Sequence, residues 1–343
     1  MSEASAPTDG ADAVVSHSEP SAAGDESPEH VALVVNPTSG KGMGRVAGER
    51  TLRLLREAGY RVTDATGHTL AEARRRAEDA IEAGAGTVCV VGGDGMAHLG
   101  INLTAGRAVH LAVVAAGTGN DFARNLGLPV RDPEGAVRLI REGRTRRVDA
   151  GRVETAEGKR WFGGVLGAGF DAVVTARAAR MSWPRGQMRY NLAVLRELPV
   201  FRPIPYAIEC DGERVETRAM LVAVANTASF GGGMRICPEA SPTDGLFDVL
   251  ILHAISIPGF LRVFPSVYSG SHVGHPRVEI RRAARVRLEA AGVPTQADGE
   301  PFAPLPLEVE NVPGALTVLA PTSPASPGSP TSPGRPTSPG RPR

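Results

Sequence analysis

The chain has 343 residues, with 38 Lys and Arg against 37 Asp and Glu, for a formal charge of +1 at pH 7. That balance argues against a dedicated nucleic-acid binder, whose domains carry a clear basic excess. Apolar residues at 42% and charged residues at 22% describe a soluble globular chain, and Cys89, Cys210 and Cys237 are too few for a disulfide scaffold and lack metal spacing.

Residues 1–30 are rich in Ser, Ala, Glu, Asp and Pro and predict a disordered tail. Their start lacks the basic and apolar regions of a secretory signal. The apolar, β-rich run 31–35 predicts a buried strand. It opens into Asn36, Pro37, Thr38, Ser39, Gly40, Lys41 and Gly42. Ala47, Thr51, Leu54, Leu55 and Ala58 then share one face of a helix that stops at Gly59. Residues 61–65 predict a short strand, and Leu70, Ala73, Ala77, Ala80 and Ile81 mark a second amphipathic helix. The buried strand 87–91 runs straight into Gly92, Gly93, Asp94 and Gly95. A short helix leads to a strand at 109–115, then to Gly117, Thr118, Gly119, Asn120 and Asp121. This alternation predicts an α/β domain, a parallel sheet with helices on both faces.

The character changes after about residue 148. Runs at 206–210, 218–225, 246–253, 278–281 and 286–289 predict strands, with Asp211-Gly212 as a hairpin turn. This half reads as a β-sandwich of antiparallel sheets with one helical insertion near 186–198. Residues 307–310 and 316–319 are expected to form a last strand pair. The longest apolar stretch, 246–264, is broken by Asp248, His253, Pro258 and Arg262, so no membrane-crossing helix is expected. Residues 321–343 repeat Thr/Ser-Pro-Gly and predict a solvated, polyproline-like tail. Removing both tails leaves roughly 290 residues, enough for two domains with cores of their own.

The three glycine-rich loops are the strongest chemical signal. Each follows a predicted strand at its carboxyl end, where open α/β sheets bind ligands. Glycine lets backbone N–H groups approach a phosphate, and helix N-termini add partial positive charge. The Walker pattern is absent, and so is a proper Gly-x-Gly-x-x-Gly at the first turn, which makes a dinucleotide oxidoreductase a poor reading.

The run Asn36-Pro-Thr-Ser-Gly40, the run Gly92-Gly-Asp-Gly95 and the run Gly117-Thr-Gly-Asn-Asp-Phe-Ala123 occur in order. Together they closely resemble the diacylglycerol kinase catalytic domain family, which includes bacterial soluble lipid kinases, sphingosine kinases and ceramide kinases. Asp149-x-Gly-Arg152, Gly167-x-Gly-Phe-Asp171, the segment 238–248 and Asp298-Gly-Glu300 extend the likeness over about residues 31–320. The resemblance implies an N-terminal nucleotide-binding domain at 31–148, a β-sandwich acceptor domain at 149–306, and a return of 307–320 to the first domain. It implies ATP and Mg²⁺ as cofactors and phosphoryl transfer to a lipid hydroxyl.

Within that resemblance, Asn36, Pro37, Ser39, Gly40, Lys41, Thr66, Gly92, Gly93, Asp94, Gly95, His98, Thr118, Asn120 and Asp121 are the candidate nucleotide-binding residues. Asn120 and Asp121 read equally well as caps of the next helix. Asp298 and Glu300 are the candidate catalytic pair, one as general base, with the choice between them open. Ser241, Asp244 and Leu246 resemble the family's structural metal loop, which suits oxygen-bound Mg²⁺ or Ca²⁺; the competing reading is an Asp-Gly turn. One departure is clear: the family's Thr after Gly-Gly-Asp-Gly is Met96 here, and its Asn-Glu is His98-Leu99.

Arg177, Arg180, Arg185 and Arg189 lie among Met181, Trp183, Met188 and Tyr190, a composition suited to an anionic membrane surface or to a solvated helix face. The expected partners are a lipid substrate and a peripheral membrane surface, without nucleic acid, and with a homodimer as an option. The expected location is cytoplasmic with transient membrane contact. An NAD-kinase-like enzyme and a nucleotide-binding regulatory protein that has lost catalysis stay as alternatives.

Overall fold

A computed structural model describes residues 29–181, 183 and 187–321. Residues 1–28 and 322–343 of the two predicted tails, and Arg185 with Gly186, lie outside the described residues, while His30, expected in the first tail, instead opens the first strand, where its neighbours in the sheet pair with it. The first strand, β1 (His30–Val35), sends Val31 and Leu33 into one core and Ala32 and Val34 into another. A strand with two apolar faces must be covered on both sides, and the following elements do so. They are α1 (Met43–Glu57), β2 (Arg61–Asp64), α2 (Leu70–Glu82), β3 (Thr87–Gly92), α3 (Asp94–Thr104), β4 (His110–Ala115), α4 (Asp121–Asn125) and α5 (Pro133–Glu142). The strands pair in parallel in the order β2-β1-β3-β4. Ala47 and Leu55 of α1 join Ala136, Val137 and Ile140 of α5 on one face; Ala73 and Ala77 of α2 join Ala97, Leu99 and Ile101 of α3 on the other.

The chain continues through β5 (Thr145–Thr155), β6 (Gly158–Phe162), β7 (Val165–Gly169), α6 (Phe170–Arg180), α7 (Gln187–Glu197), β8 (Ile204–Cys210), β9 (Glu213–Ala225), β10 (Phe247–His253), α8 (Ile257–Val263), β11 (Val278–Ala283), β12 (Arg285–Glu289), β13 (Thr295–Ala297) and β14 (Glu300–Pro301). Antiparallel pairing dominates here, and β8 and β9 form the hairpin across Asp211-Gly212. Phe162, Leu166, Ile208, Val222, Phe247, Val286 and Leu288 fill the sandwich core. A third core, with Phe170, Val174, Val194, Leu250 and Phe260, lies under α6, α7 and α8.

The last strand corrects one expectation. Residues 307–319 form a single strand, β15 (Leu307–Leu319), instead of a strand pair. Its register against β5 shifts between Val312 and Leu316. Pro313 and Gly314 sit at that irregularity, where a missing ladder donor is tolerated. Before it, β15 pairs with β12; after it, β15 pairs in parallel with β4.

Candidate functional site

The three glycine loops are packed against one another. Gly40 holds φ +56, and a Cβ there would lie 2.2 Å from the Ala116 carbonyl oxygen. A Cβ on Gly117 would come 2.4 Å from Gly93 Cα. Side chains at these positions would push the loops apart, so glycine is required there. Asn36 Oδ1 accepts from the Thr38 N–H (3.1 Å) and hydroxyl (2.8 Å), folding the first loop on itself. Pro37 and Lys41 are exposed at its rim. Thr66 joins from the end of β2, its hydroxyl accepting the Val35 N–H at 3.1 Å.

Asn120 closes the third loop. It holds φ +57, accepts from Gly117 N at 2.9 Å and donates to Gly117 O at 3.0 Å. Capping of α4 falls to Asp94, whose carboxylate accepts from Asn120 N (2.8 Å) and Phe122 N (3.3 Å). Asp121 instead reaches into the sandwich half and accepts from Gly232 N (2.7 Å) and Gly233 N (3.1 Å). Burial, then the neighbouring Asp121 charge, pushes the Asp94 carboxyl up to about 6. Burial also raises Asp121. A Cβ on Gly119 would lie 2.7 Å from Asp94 Oδ2 and 3.6 Å from Asp121 Oδ2, so both carboxylates border one small gap. That donor set fits Mg²⁺, which takes one or two carboxylates and completes its shell with water and substrate phosphates.

A cavity of about 410 Å³ opens from this gap and reaches Thr118, His98, Thr227 and Asp298. Asp298 lies in the turn between β13 and β14 at φ +54. Its Oδ1 accepts from Gly164 N (2.8 Å); its Oδ2 accepts from Gly163 N (3.1 Å) and pairs with His98 Nδ1 (3.0 Å). Glu300, two residues on, is partly exposed, and its Oε1 would lie 2.6 Å from a Cβ placed on Gly95. The acceptor-side turn thus carries a carboxylate to the second glycine loop. His98, expected among the nucleotide-binding residues, borders the cavity that Asp94 and Thr118 line, with its Nδ1 turned to Asp298. Of the candidate pair, Asp298 is enclosed by donors and the Glu300 carboxylate is not.

The loop of Ser241, Asp244 and Leu246 is separate from this cluster. Asp244 Oδ1 accepts from Leu246 N (3.1 Å), and its Oδ2 is ion-paired with Arg282. The same guanidinium meets Asp248 Oδ1 at 3.2 Å, while Ser241 Oγ pairs with Thr243 Oγ1 at 3.3 Å. Among the described residues no group of three or more His, Cys, Asp and Glu is arranged around a metal position. What sets this loop apart is the Arg282 guanidinium, which already supplies the positive charge beside Asp244 and Asp248 that a cation would bring, so the residues do not fit a metal. Asp149 fastens the loop, accepting from Gly245 N at 2.8 Å and from Gly314 N at 2.7 Å.

Sequence reasoning assigned no role to Asn102, Asp149, Asn226 or Arg282. Asn226 is fully buried and donates to the Asp149 and Gly163 carbonyls, bracing the backbone under Asp298. A polar residue ending the apolar run 219–225 was the available signal.

Residues 30–153 match the diacylglycerol kinase catalytic domain, and residues 164–320 match the YegS C-terminal NAD kinase beta sandwich-like domain. A diacylglycerol kinase of Mycobacterium tuberculosis (strain ATCC 25618 / H37Rv) is 39% identical over 293 residues, 85% of this chain and 95% of that one. The chain belongs to the diacylglycerol kinase family. A diacylglycerol kinase of Bacillus subtilis (strain 168) is 29% identical over 297 residues, covering 85% of this chain and 97% of the relative. A crystal structure of a diacylglycerol kinase from Bacillus anthracis str. Sterne superposes with a TM-score of 0.65 at 19% identity, over 87% of this chain and 98% of that one. At that identity it speaks for the fold, an N-terminal α/β domain followed by a β-sandwich-like domain. Among the described residues no helix is long and apolar enough to cross a membrane.

Proposed function

We propose that this family member transfers the γ-phosphate of ATP to the hydroxyl of a lipid acceptor of diacylglycerol or sphingoid type, with Glu300 as general base. The observation that carries the reading is the placement of a free carboxylate beside the nucleotide loop. Among the described residues the Glu300 carboxylate has no hydrogen-bond partner, and its Oε1 lies against Gly95. Asp298 has three donors on its two oxygens. A base needs an open lone pair toward the proton it removes.

The backbone N–H groups of the three loops, the Thr118 hydroxyl and the Lys41 ammonium face the phosphates, and glycine permits their close approach. Asp94 and Asp121 would hold Mg²⁺, which supplies neutralising charge on the phosphates when bound. Glu300 takes the proton of the acceptor hydroxyl. The new O–P bond forms as the bond to the ADP oxygen breaks, and the proton leaves with Glu300.

An apolar pocket of about 60 Å³ adjoins the cavity and shares Tyr190 and Phe230 with it. Val194, Phe260 and Phe264 line it, a surface suited to hydrocarbon. Trp183, between α6 and α7, is 75% exposed and Met188 of α7 is 67% exposed, which supports docking on a bilayer.

The test is a γ-labelled ATP assay in mixed micelles of diacylglycerol or sphingosine, with and without Mg²⁺. Metal-dependent label in the lipid phase, lost in Glu300→Gln with nucleotide binding retained, is the expected result. Nucleotide binding without label in either lipid would overturn the reading.

A further inference from the structure

Asp298 is one of the places where the two halves of the site touch. Gly163 and Gly164, which donate to it, come from the link between β6 and β7. His98 comes from α3, the helix that begins at Asp94 within the nucleotide loop. The turn holding Asp298 also carries Glu300, so anything that moves the turn moves the base.

The chemistry orients the imidazole. An ionised carboxylate only accepts, so the ring presents Nδ1–H to Asp298. Asn102, one helical turn on, places Nδ2 3.3 Å from Nε2, but its two N–H groups go to the His98 and Trp161 carbonyls, each at 2.9 Å. Asn102 is itself fixed by backbone: Nδ2 donates to Trp161 O at 2.9 Å and Oδ1 accepts from Trp161 N at 3.0 Å. Its amide cannot flip without breaking both bonds. Phe302 meets the imidazole edge-on, with centroids 6.4 Å apart and planes at 79°. The Asp298 bond and the Phe302 contact together hold the ring's plane and direction.

We propose that His98 is a positioning residue: through Asp298 it sets the separation between the nucleotide loop and the turn that carries Glu300. This rests on the reading of Glu300 as base. Asp298 already accepts two backbone N–H groups from its own half of the molecule. The His98 bond is the only one of the three that crosses to α3, and it ties the acceptor turn to the helix that starts in the nucleotide loop.

The test compares His98→Ala, His98→Phe and His98→Asn in the labelled-ATP micelle assay. Phe keeps a ring without the donor. Asn keeps a donor at the same distance along the side chain without the ring. Misplacement by about 1 Å costs on the order of 100-fold in rate, so kcat should fall by about that factor in the Ala and Phe variants, with KM for ATP within about twofold. His98→Asn should recover most of the loss. Wild-type kcat in His98→Phe, or a rise in KM for ATP with kcat unchanged, would overturn the proposal. Melting temperature and ADP binding, measured on each variant, separate misfolding from misplacement, and a kcat loss in His98→Phe that follows misfolding would also overturn it. Glu300→Gln is run in parallel. If it turns over normally, the base assignment fails; if it is inactive while His98→Phe is normal, only the His98 role fails.

Discussion

Asp171 is a carboxylate in a place suited to a neutral group. It is 3% exposed; Oδ2 accepts from Gln296 Nε2 at 3.0 Å, while Oδ1 and Gln296 Oε1 have no partner among the described residues. Burial pushes its carboxyl from an ordinary 3.8 up to about 6, with the Gln296 bond opposing. Between those values the folded state binds a proton that the unfolded state does not. Stability from this group therefore falls as pH rises through the window, by roughly 3 kcal/mol. Asp171→Asn removes the titration and offers an N–H to Gln296. The melting temperature of the variant minus that of wild type should grow by several degrees from pH 4 to pH 7, read by circular dichroism. A constant difference over that range would contradict the assignment. Neither Asp171's isolation nor the enclosure of Asp298 was legible in sequence, because both depend on donors more than a hundred residues away. The glycine loops were legible, because a backbone that must approach a neighbour leaves one residue type.

At the scale of elements, short strands with apolar runs were readable and weakly patterned helices were not. Among the described side chains α6 turns Phe170, Val174 and Ala178 toward its core, and α8 comes soon after the apolar strand β10, so neither shows a strong helical stripe. α7 is clearer, and its exposed face has a consequence. Met188 and Leu195 are seven residues apart and both exposed, and Arg189 and Arg196 run alongside at the same spacing. Arg177 is not part of this face; its guanidinium is ion-paired with Glu197. Large apolar side chains bordered by Arg suit the interface of an anionic bilayer. Trp183→Ala combined with Met188→Ala should cut co-sedimentation with phosphatidylglycerol-containing vesicles several-fold while leaving ADP binding unchanged. Undiminished sedimentation would remove this face as the contact.

At the scale of the whole molecule, the sequence pattern reads as two domains with a returning segment, and the structure joins them through one strand. Leu307 and Val309 of β15 enter the sandwich core, while Leu316 and Val318 enter the core of the α/β domain. The same backbone is bonded to β12 and β5 and then to β4 and β5. Neither core can lose its strand without exposing apolar surface and unpaired backbone groups in the other. Two domains on a flexible linker would melt separately; two that share a strand should melt together. Calorimetry is therefore expected to show one transition with equal calorimetric and van't Hoff enthalpies. Leu316→Ala, at a fully buried position, should destabilise that single transition by about 2–5 kcal/mol. ADP, which contacts only the first domain in the proposed site, should raise the same transition. Two resolved transitions, with Leu316→Ala and ADP acting on one alone, would show that the shared strand does not couple the domains. The coupling has a functional side, because Asp298 and Glu300 act on a nucleotide bound by the other domain. A strand common to both cores holds the two domains together, and within that frame the His98–Asp298 bond sets the separation of the nucleotide loop and the acceptor turn.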